Sequence, residues 1–272
     1  MSYDKKYLEK LFQEQYASGF EEKRLFFTKA NETEYIVTMH YIHKYLRKNA
    51  NIIDVGAGAG AYSAALADEG YFVDALDLHP THIDRMNEVF KDSDKVKVGK
   101  ADALDLSEFE DDSYDLVLEL GPVYHIHNIE DRIKAIREAV RVARKGAPIF
   151  VAFCLQDAGL IEYIFQSENP AEEIKTIGYE RETGIVTENT GSSRVLDTIS
   201  DVDEVINKAL QELPITRGPR FSQDGLSQII RDSVNNMSED SYKEWIKYLI
   251  ATAERPDLIG YSNHIVQILF KN

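Results

Sequence analysis

The sequence predicts an α/β protein built on an open, doubly wound sheet. Three observations carry that expectation. Between residues 51 and 154, short apolar runs alternate with segments of helical period. A glycine-rich turn, Gly56-Ala57-Gly58-Ala59-Gly60, follows the first apolar run directly. The composition, 43% hydrophobic and 29% charged over 272 residues, is that of an ordinary globular chain able to bury a sizeable core. Strand–helix alternation implies parallel strands joined by right-handed crossovers. Such sheets take ligands beyond the carboxyl ends of their strands, at the switch point.

The elements follow in order. Residues 33–47 place Ile36, Met39 and Ile42 at helical spacing, flanked by Tyr35 and Leu46, so a core-facing helix precedes the glycine turn. Asn51-Ile52-Ile53-Asp54-Val55 reads as the first strand and residues 61–70 as a helix closed by Gly70. A second strand spans 72–78. A helix follows from His79, with Pro80 in its first turn. Residues 95–101 and 114–120 give the third and fourth strands. The clearest helix runs over 128–146, opening on an Asn128/Asp131 capping pair, carrying Ile133, Ile136 and Val140 as its stripe, and ending at Gly146. Residues 148–154 form a fifth, buried strand.

Beyond Cys154 the regularity fails, and residues 155–200 are polar without a sustained period. A helix is expected at 201–213, opening on Asp201 and Glu204, then a strand near 215–221, a helix over 238–254 and a last strand at 264–270. The expected organisation is an N-terminal helical segment (1–50), an α/β core (51–154), a lid region (155–213) and remaining core elements (214–272).

Composition narrows the function classes. Lys and Arg total 31 against 47 Asp and Glu, a net charge of −16, which argues against nucleic acid as a partner. No apolar run is long enough to span a membrane, and the N-terminus lacks a secretory h-region. Cys154 is the only cysteine, so no internal disulfide can form, and a reducing cytoplasm is expected. His40/His43, His79/His82 and His125/His127 each offer two metal ligands and nothing to complete a set, so no metal centre is expected.

Gly56, Gly58 and Ala61 fit the G-x-G-x-x-A fingerprint of dinucleotide sites, with Asp77 about 20 residues on. Asp54, two residues ahead of the first glycine, points elsewhere, because a carboxylate there repels a pyrophosphate. With Asp54 included, the stretch resembles the D/E-x-G-x-G-x-G motif of class I S-adenosylmethionine (SAM) methyltransferases. Further segments resemble that family in order: Asp77 and Leu78 ending the second strand, Asp102 and Ala103 after the third, Tyr114–Leu120 as the fourth strand, and the helix and strand of 135–153. The chain has Lys145-Gly146-Ala147 where a Pro-Gly-Gly is common.

The resemblance implies a mostly parallel seven-stranded sheet with an antiparallel last strand. It also implies a site in which Asp54, Gly56, Ala57, Gly58 and Gly60 receive the methionine portion. Asp77 and Leu78 would meet the ribose and Asp102 and Ala103 the adenine. Glu119, at the end of the fourth strand, would lie near the methionine or acceptor group. The product would be S-adenosylhomocysteine.

The fourth strand ends Glu119-Leu120-Gly121-Pro122-Val123-Tyr124-His125. This segment is similar to a bacterial group of class I methyltransferases with LGPxYH at this place. It differs from the [DNS]-P-P-[YF] sequence that methylates exocyclic amines of nucleic acid bases. Methyl transfer is an in-line displacement with a good leaving group, so the protein mainly positions the nucleophile and sheds water. A base is needed only for a protonated acceptor. His125 is the candidate base, since an imidazole titrates near neutrality, and Tyr124 a candidate for orienting the acceptor. His264, in Ser262-Asn263-His264, is assigned no role. Aromatics at Tyr16, Phe20, Phe26, Phe27, Tyr163, Phe165 and Tyr179 suit a pocket for a small organic acceptor.

Rival readings use the same residues. A nicotinamide-dependent oxidoreductase shares the glycine turn, but Asp54 and the Asp102 segment argue against it. A methyltransferase acting on protein or RNA, or a non-catalytic SAM-binding subunit, would keep the cofactor residues and change the partner. The sequence does not fix the oligomeric state.

Overall fold

The computed structural model describes residues 24–186 and 194–272; Tyr16 and Phe20 lie outside them. Helix α1 (Lys29–Tyr45) leads into β1 (Asn51–Val55), α2 (Ala61–Asp68), β2 (Phe72–Asp77), α3 (Pro80–Val89), β3 (Val96–Lys100), β4 (Leu116–Glu119), α4 (Ile129–Val142) and β5 (Pro148–Leu155). Then come α5 (Gln156–Gly159), a π-helical turn (Leu160–Phe165), α6 (Pro170–Glu173), the hairpin β6 (Tyr179–Glu180) and β7 (Ile185–Val186), and β8 (Leu196–Asp197). The chain closes with α7 (Ile199–Glu212), β9 (Ile215–Ser222), α8 (Arg231–Asn235), α9 (Glu239–Thr252) and β10 (His264–Lys271).

The main sheet runs β3-β2-β1-β4-β5-β10-β9, and the two-residue β8 pairs with the end of β5. β1 through β5 are parallel, while β10 is antiparallel to both β5 and β9. This is the doubly wound, mostly parallel sheet with an antiparallel last strand that the sequence predicts. β1 lies between β2 and β4, so the strand order reverses there. The glycine turn therefore leaves β1 at the switch point, the place where such sheets bind ligands.

Burial explains why the strands read as plain apolar runs. Every residue of β5 is buried, as are all four of β4, because helices cover both faces. One face packs Ile53, Val117, Ile149, Val151 and Phe153 against α4 and against Val202, Val205 and Ile206 of α7. The other packs Ile52, Leu116, Leu118 and Phe150 against α1, α2 and Leu249 of α9. Among the described residues no helix is long and apolar enough to cross a membrane.

Several boundaries differ from the sequence expectation. α1 begins at Lys29, capped by Thr28, and its buried stripe includes Ala30, Thr33, Glu34, Val37 and Tyr41, while Ile36 is only partly buried. A buried glutamate on that face disguises the stripe's true direction. α4 ends at Val142 because Ala143 turns extended; Gly146, at φ +77°, serves the loop into β5 instead. Asn128 caps α4 by accepting from the amides of Glu130 and Asp131. α7 opens two residues earlier than expected, on a capping box between Thr198 and Asp201. Within 155–213, α7 joins the main core and β8 joins the sheet. The hairpin stays outside and is tethered through Gln156, which donates to Gly184 O at 2.9 Å and accepts from Val186 N at 3.0 Å.

Candidate active site

The turn after β1 is held from below by β2, where the amides of Gly56 and Ala57 both donate to Leu76 O at 2.8 Å. Gly56, Gly58 and Gly60 all have positive φ, at +73°, +58° and +82°, a conformation that costs an L-residue with a Cβ about 1–2 kcal/mol. Their surroundings differ. A Cβ on Gly56 would fall 2.7 Å from Pro122, and one on Gly60 would fall 2.8 Å from Phe90; around Gly58 nothing lies within 4 Å. Two glycines thus make room for the protein's own side chains, and Gly58 faces open space. Ala57 packs toward the Met86–Phe90 cluster under α3.

Asp77, the last residue of β2, fixes this turn. Its Oδ2 accepts from the Gly58 amide at 2.9 Å and its Oδ1 from the His79 amide at 2.8 Å. Buried His82 places its Nδ1 3.2 Å from the same Oδ2, so the capacity for a further bond lies mainly on Oδ1. Leu78, next in sequence, is 53% exposed and offers a flat apolar surface beside that carboxylate. Asp102 Oδ1 accepts from the Leu104 amide at 2.9 Å, shaping the turn after β3, and Ala103 is buried in the core.

Asp54 is buried within β1, and Ser63 of α2 donates to its Oδ2 at 2.7 Å. Burial pushes its carboxyl up to about 6, with the Ser63 bond opposing and Asp77 adding to the rise. Glu119 ends β4 at 1% exposure; its Oε2 has no hydrogen-bond partner among the described residues, and burial pushes its carboxyl up to about 8. Asp54, Asp77 and Glu119 stand at or beside the carboxyl ends of β1, β2 and β4, three adjacent strands. An orphaned buried carboxyl invites a cationic donor, because it carries a desolvation cost that only a partner offsets.

Residues 122–125 form a 3-10 turn after β4. Tyr124 is buried, its ring centroid 4.8 Å from that of His125 and 6.2 Å from that of His264. A Cβ placed on Gly121 would meet Gly56 O at 3.1 Å and the Tyr124 hydroxyl at 3.9 Å, so the glycine turn and the Tyr124 hydroxyl lie on either side of Gly121. Val195 N donates to Tyr124 O at 2.6 Å, and a buried Arg132–Asp197 pair at 2.9 Å anchors β8, which follows Val195 directly. His125 is only partly buried.

The structure also assembles a group that sequence spacing does not reveal. His264 opens β10 opposite Cys154. Its Nδ1 lies 3.3 Å from Asp224 Oδ2 and 3.5 Å from Glu34 Oε2, all three residues being buried. Arg24 donates two parallel hydrogen bonds to Glu34, at 2.6 and 2.9 Å. Burial alone would raise Glu34; Arg24 and His264 instead hold it down at about 2. Burial alone would lower His264; Glu34, Cys154 and Asp224 raise it well above the ordinary histidine range. The opening of the last strand on a histidine was the one signal of this group in the sequence. Glu34 lies 230 positions from it and Asp224 lies 40.

Residues 53–151 match the family model of the methyltransferase domain. Over 109 residues the chain is 32% identical to norajmaline N-methyltransferase of Rauvolfia serpentina, covering 39% of this chain and 36% of that one. Over 101 residues it is 35% identical to demethylmenaquinone methyltransferase of Clavibacter sepedonicus, covering 37% and 39%. The matches thus span well under half the length of these relatives. Among solved structures, a SAM-dependent methyltransferase from Methanosarcina mazei superposes with a TM-score of 0.54 at 18% identity, covering 85% of this chain and 96% of that one. A (4+2)-cyclase superposes with a TM-score of 0.53 at 14% identity, covering 88% and 81%. The fold is the Rossmann-like one, and at these identities the superpositions speak for the fold alone.

Proposed function

From a methyltransferase domain over residues 53–151, whose cofactor is S-adenosyl-L-methionine, we propose that this chain transfers a methyl group to a small-molecule acceptor and releases S-adenosylhomocysteine. One observation carries the reading: the carboxylate ending β2 is bonded to the one glycine of the turn that faces open space. The buried Glu119 Oε2, without a hydrogen-bond partner among the described residues, supports a fit to the cofactor's positive charge. A sulfonium amino acid brings two cationic centres to a rim lined by Asp54, Asp77 and Glu119, whereas a pyrophosphate would meet repulsion there.

In this reading Asp77 offers Oδ1 to the ribose hydroxyls while Oδ2 is held by Gly58 and His82, and Leu78 lies against the adenine, with Asp102 and Ala103 at its edge. Gly56, Ala57, Gly58 and Gly60 shape the channel for the methionine portion. Their amides contribute little as donors, since all four are already bonded within the chain. Glu119 meets the ammonium, and Asp54 braces α2 through Ser63. When bound, the cofactor supplies an electrophilic methyl carbon. The chain's own part is to place the acceptor in line with it and keep water away. Tyr124 and His125, after β4, face that acceptor in the manner of the LGPxYH group. The described part of the N-terminal segment, α1, and the hairpin tethered to Gln156 close over it as a lid.

The small-molecule assignment draws support from relatives named for norajmaline and demethylmenaquinone. The absence of a basic cluster along the chain and the net charge of −16 disfavour RNA. A cytoplasmic setting agrees with the lone Cys154, which is buried.

The test combines a metabolite screen with isotopically methyl-labelled cofactor and a binding measurement. Label in a small-molecule product, S-adenosylhomocysteine formed in equal amount, and His125→Ala losing transfer but not S-adenosylhomocysteine binding would support the reading. Cofactor binding without transfer to any acceptor would point to a binding subunit or another reaction on this fold.

A further inference from the structure

Glu34, Asp224 and His264 are not among the residues proposed above to hold the cofactor. His264 faces Cys154 at the carboxyl end of β5, two strands from Glu119, with Tyr124 between it and the glycine turn. Burying such ionic groups gains little stability, because desolvation consumes the attraction between them. The arrangement is nonetheless rigid. Asp224 is fully buried and its Oδ1 accepts from the Asn263 amide at 2.9 Å and from the Ser262 hydroxyl, which leaves Oδ2 directed at the imidazole. Glu34 is clamped by the Arg24 fork. An imidazole fixed by a carboxylate is the usual construction for moving a proton at a stated place.

Building on the methyltransferase reading, we propose that His264 is the proton acceptor for a hydroxyl-bearing acceptor, with Asp224 and Glu34 as the residues that position it. As the acceptor oxygen forms its bond to the methyl carbon, the carbon–sulfur bond breaks and leaves its pair on a neutral thioether sulfur. The hydroxyl proton passes to the His264 imidazole, and the imidazolium rests between two carboxylates. A hydroxyl fits better than an ammonium-bearing acceptor. Arg24 and Arg194 act on Glu34 and Arg231 lies 3.4 Å from Glu162, so three cations against the carboxylates of Glu34, Asp224 and Glu162 leave no surplus negative charge to draw in a cation.

The pH dependence follows from the groups around the ring. These are Glu34 and Arg24 on the α1 side, Asp224 after β9, Cys154 on β5, Glu162 of the π-helical turn and Tyr124 after β4. The carboxylates favour the imidazolium, and only the neutral ring can take a proton. Transfer therefore rises with pH through the raised His264 titration. Removing the Asp224 charge moves that rise to lower pH.

The experiment uses the full chain in two measurements. In the S-adenosylhomocysteine-bound protein, a histidine-selective NMR titration should find His264 titrating above an ordinary histidine, and at least about one pH unit lower in Asp224→Asn. Against a panel of phenols, catechols and tertiary amines, His264→Gln should lose about 10²–10⁴-fold in kcat on a hydroxyl acceptor while binding S-adenosylhomocysteine normally. Asp224→Asn should shift the ascending limb of the pH profile downward. A limb or titration unmoved in Asp224→Asn, full activity in His264→Gln, or methylation of tertiary amines alone overturns the proposal and leaves cofactor binding standing. Failure of the wild-type chain to bind S-adenosylhomocysteine overturns the methyltransferase reading itself.

Discussion

The Gly58 amide donates to Asp77 Oδ2 across 2.9 Å. Two segments 19 residues apart are thereby one unit: the turn that leaves β1 and the carboxylate that ends β2. The turn's left-handed backbone and the acidic residue's orientation each depend on the other. Substitutions on either side should therefore be read through cofactor affinity and through folding separately.

The glycines give the first contrast. Gly58→Ala adds only the left-handed strain, about 1–2 kcal/mol, because its Cβ enters open space. Gly56→Ala adds the same strain and also pushes on Pro122 at 2.7 Å, a further ~1–3 kcal/mol. Urea denaturation should rank Gly56→Ala as the less stable variant. S-adenosylhomocysteine titration should show Gly58→Ala losing affinity out of proportion to its small folding defect.

Glu119 supplies a pH signature. Its carboxyl is raised from 4.5 to about 8 by burial, so the folded chain holds a proton that the unfolded chain releases. Stability accordingly falls as pH rises from about 4.5 to about 8, by on the order of 5 kcal/mol at the upper limit. Glu119→Gln should flatten that slope and be more stable than wild type at pH 8. Cofactor binding near pH 6.5 should release a proton, seen as a buffer-dependent calorimetric enthalpy, and Glu119→Gln should not release it.

The Arg132–Asp197 pair tests how the acceptor side is supported. Both side chains are at most 5% exposed, and Arg132 also donates to Ile126 O at 2.8 Å. Asp197→Ala leaves a buried guanidinium with one partner gone, a loss of about 3–5 kcal/mol. Thermal unfolding should show the drop, and Arg132→Met combined with Asp197→Leu should recover most of it. Because Val195 beside this strand holds Tyr124, the single variant should also weaken transfer more than cofactor binding.

The parts of the fold that were legible are those where one local signal suffices. β1, β2, β4 and β5 show as apolar runs because both sheet faces are covered there, and Gly56, Asp77 and Glu119 fall at strand ends that those runs mark. Helix limits drifted where capping chemistry sits outside the hydrophobic period, as with Thr198 ahead of α7 and Ala143 after α4. The two-residue β8 is too short to carry any period. The Glu34–Asp224–His264 group was illegible for a different reason. Its members come from a helix, a loop and a strand far apart in sequence, and a buried glutamate on an amphipathic helix looks like a solvated one until the partner that neutralises it is placed.

The central claim is that the turn after β1 and the carboxylate at position 77 together seat the sulfonium nucleoside. Isothermal titration of wild type and Asp77→Ala with S-adenosylhomocysteine, with NAD as the control ligand, addresses it most directly. The account predicts saturable binding to wild type, none to NAD, and a loss of at least about tenfold in Asp77→Ala while the protein stays folded. Equal affinity in the two proteins, or binding of NAD in place of the thioether nucleoside, would contradict it.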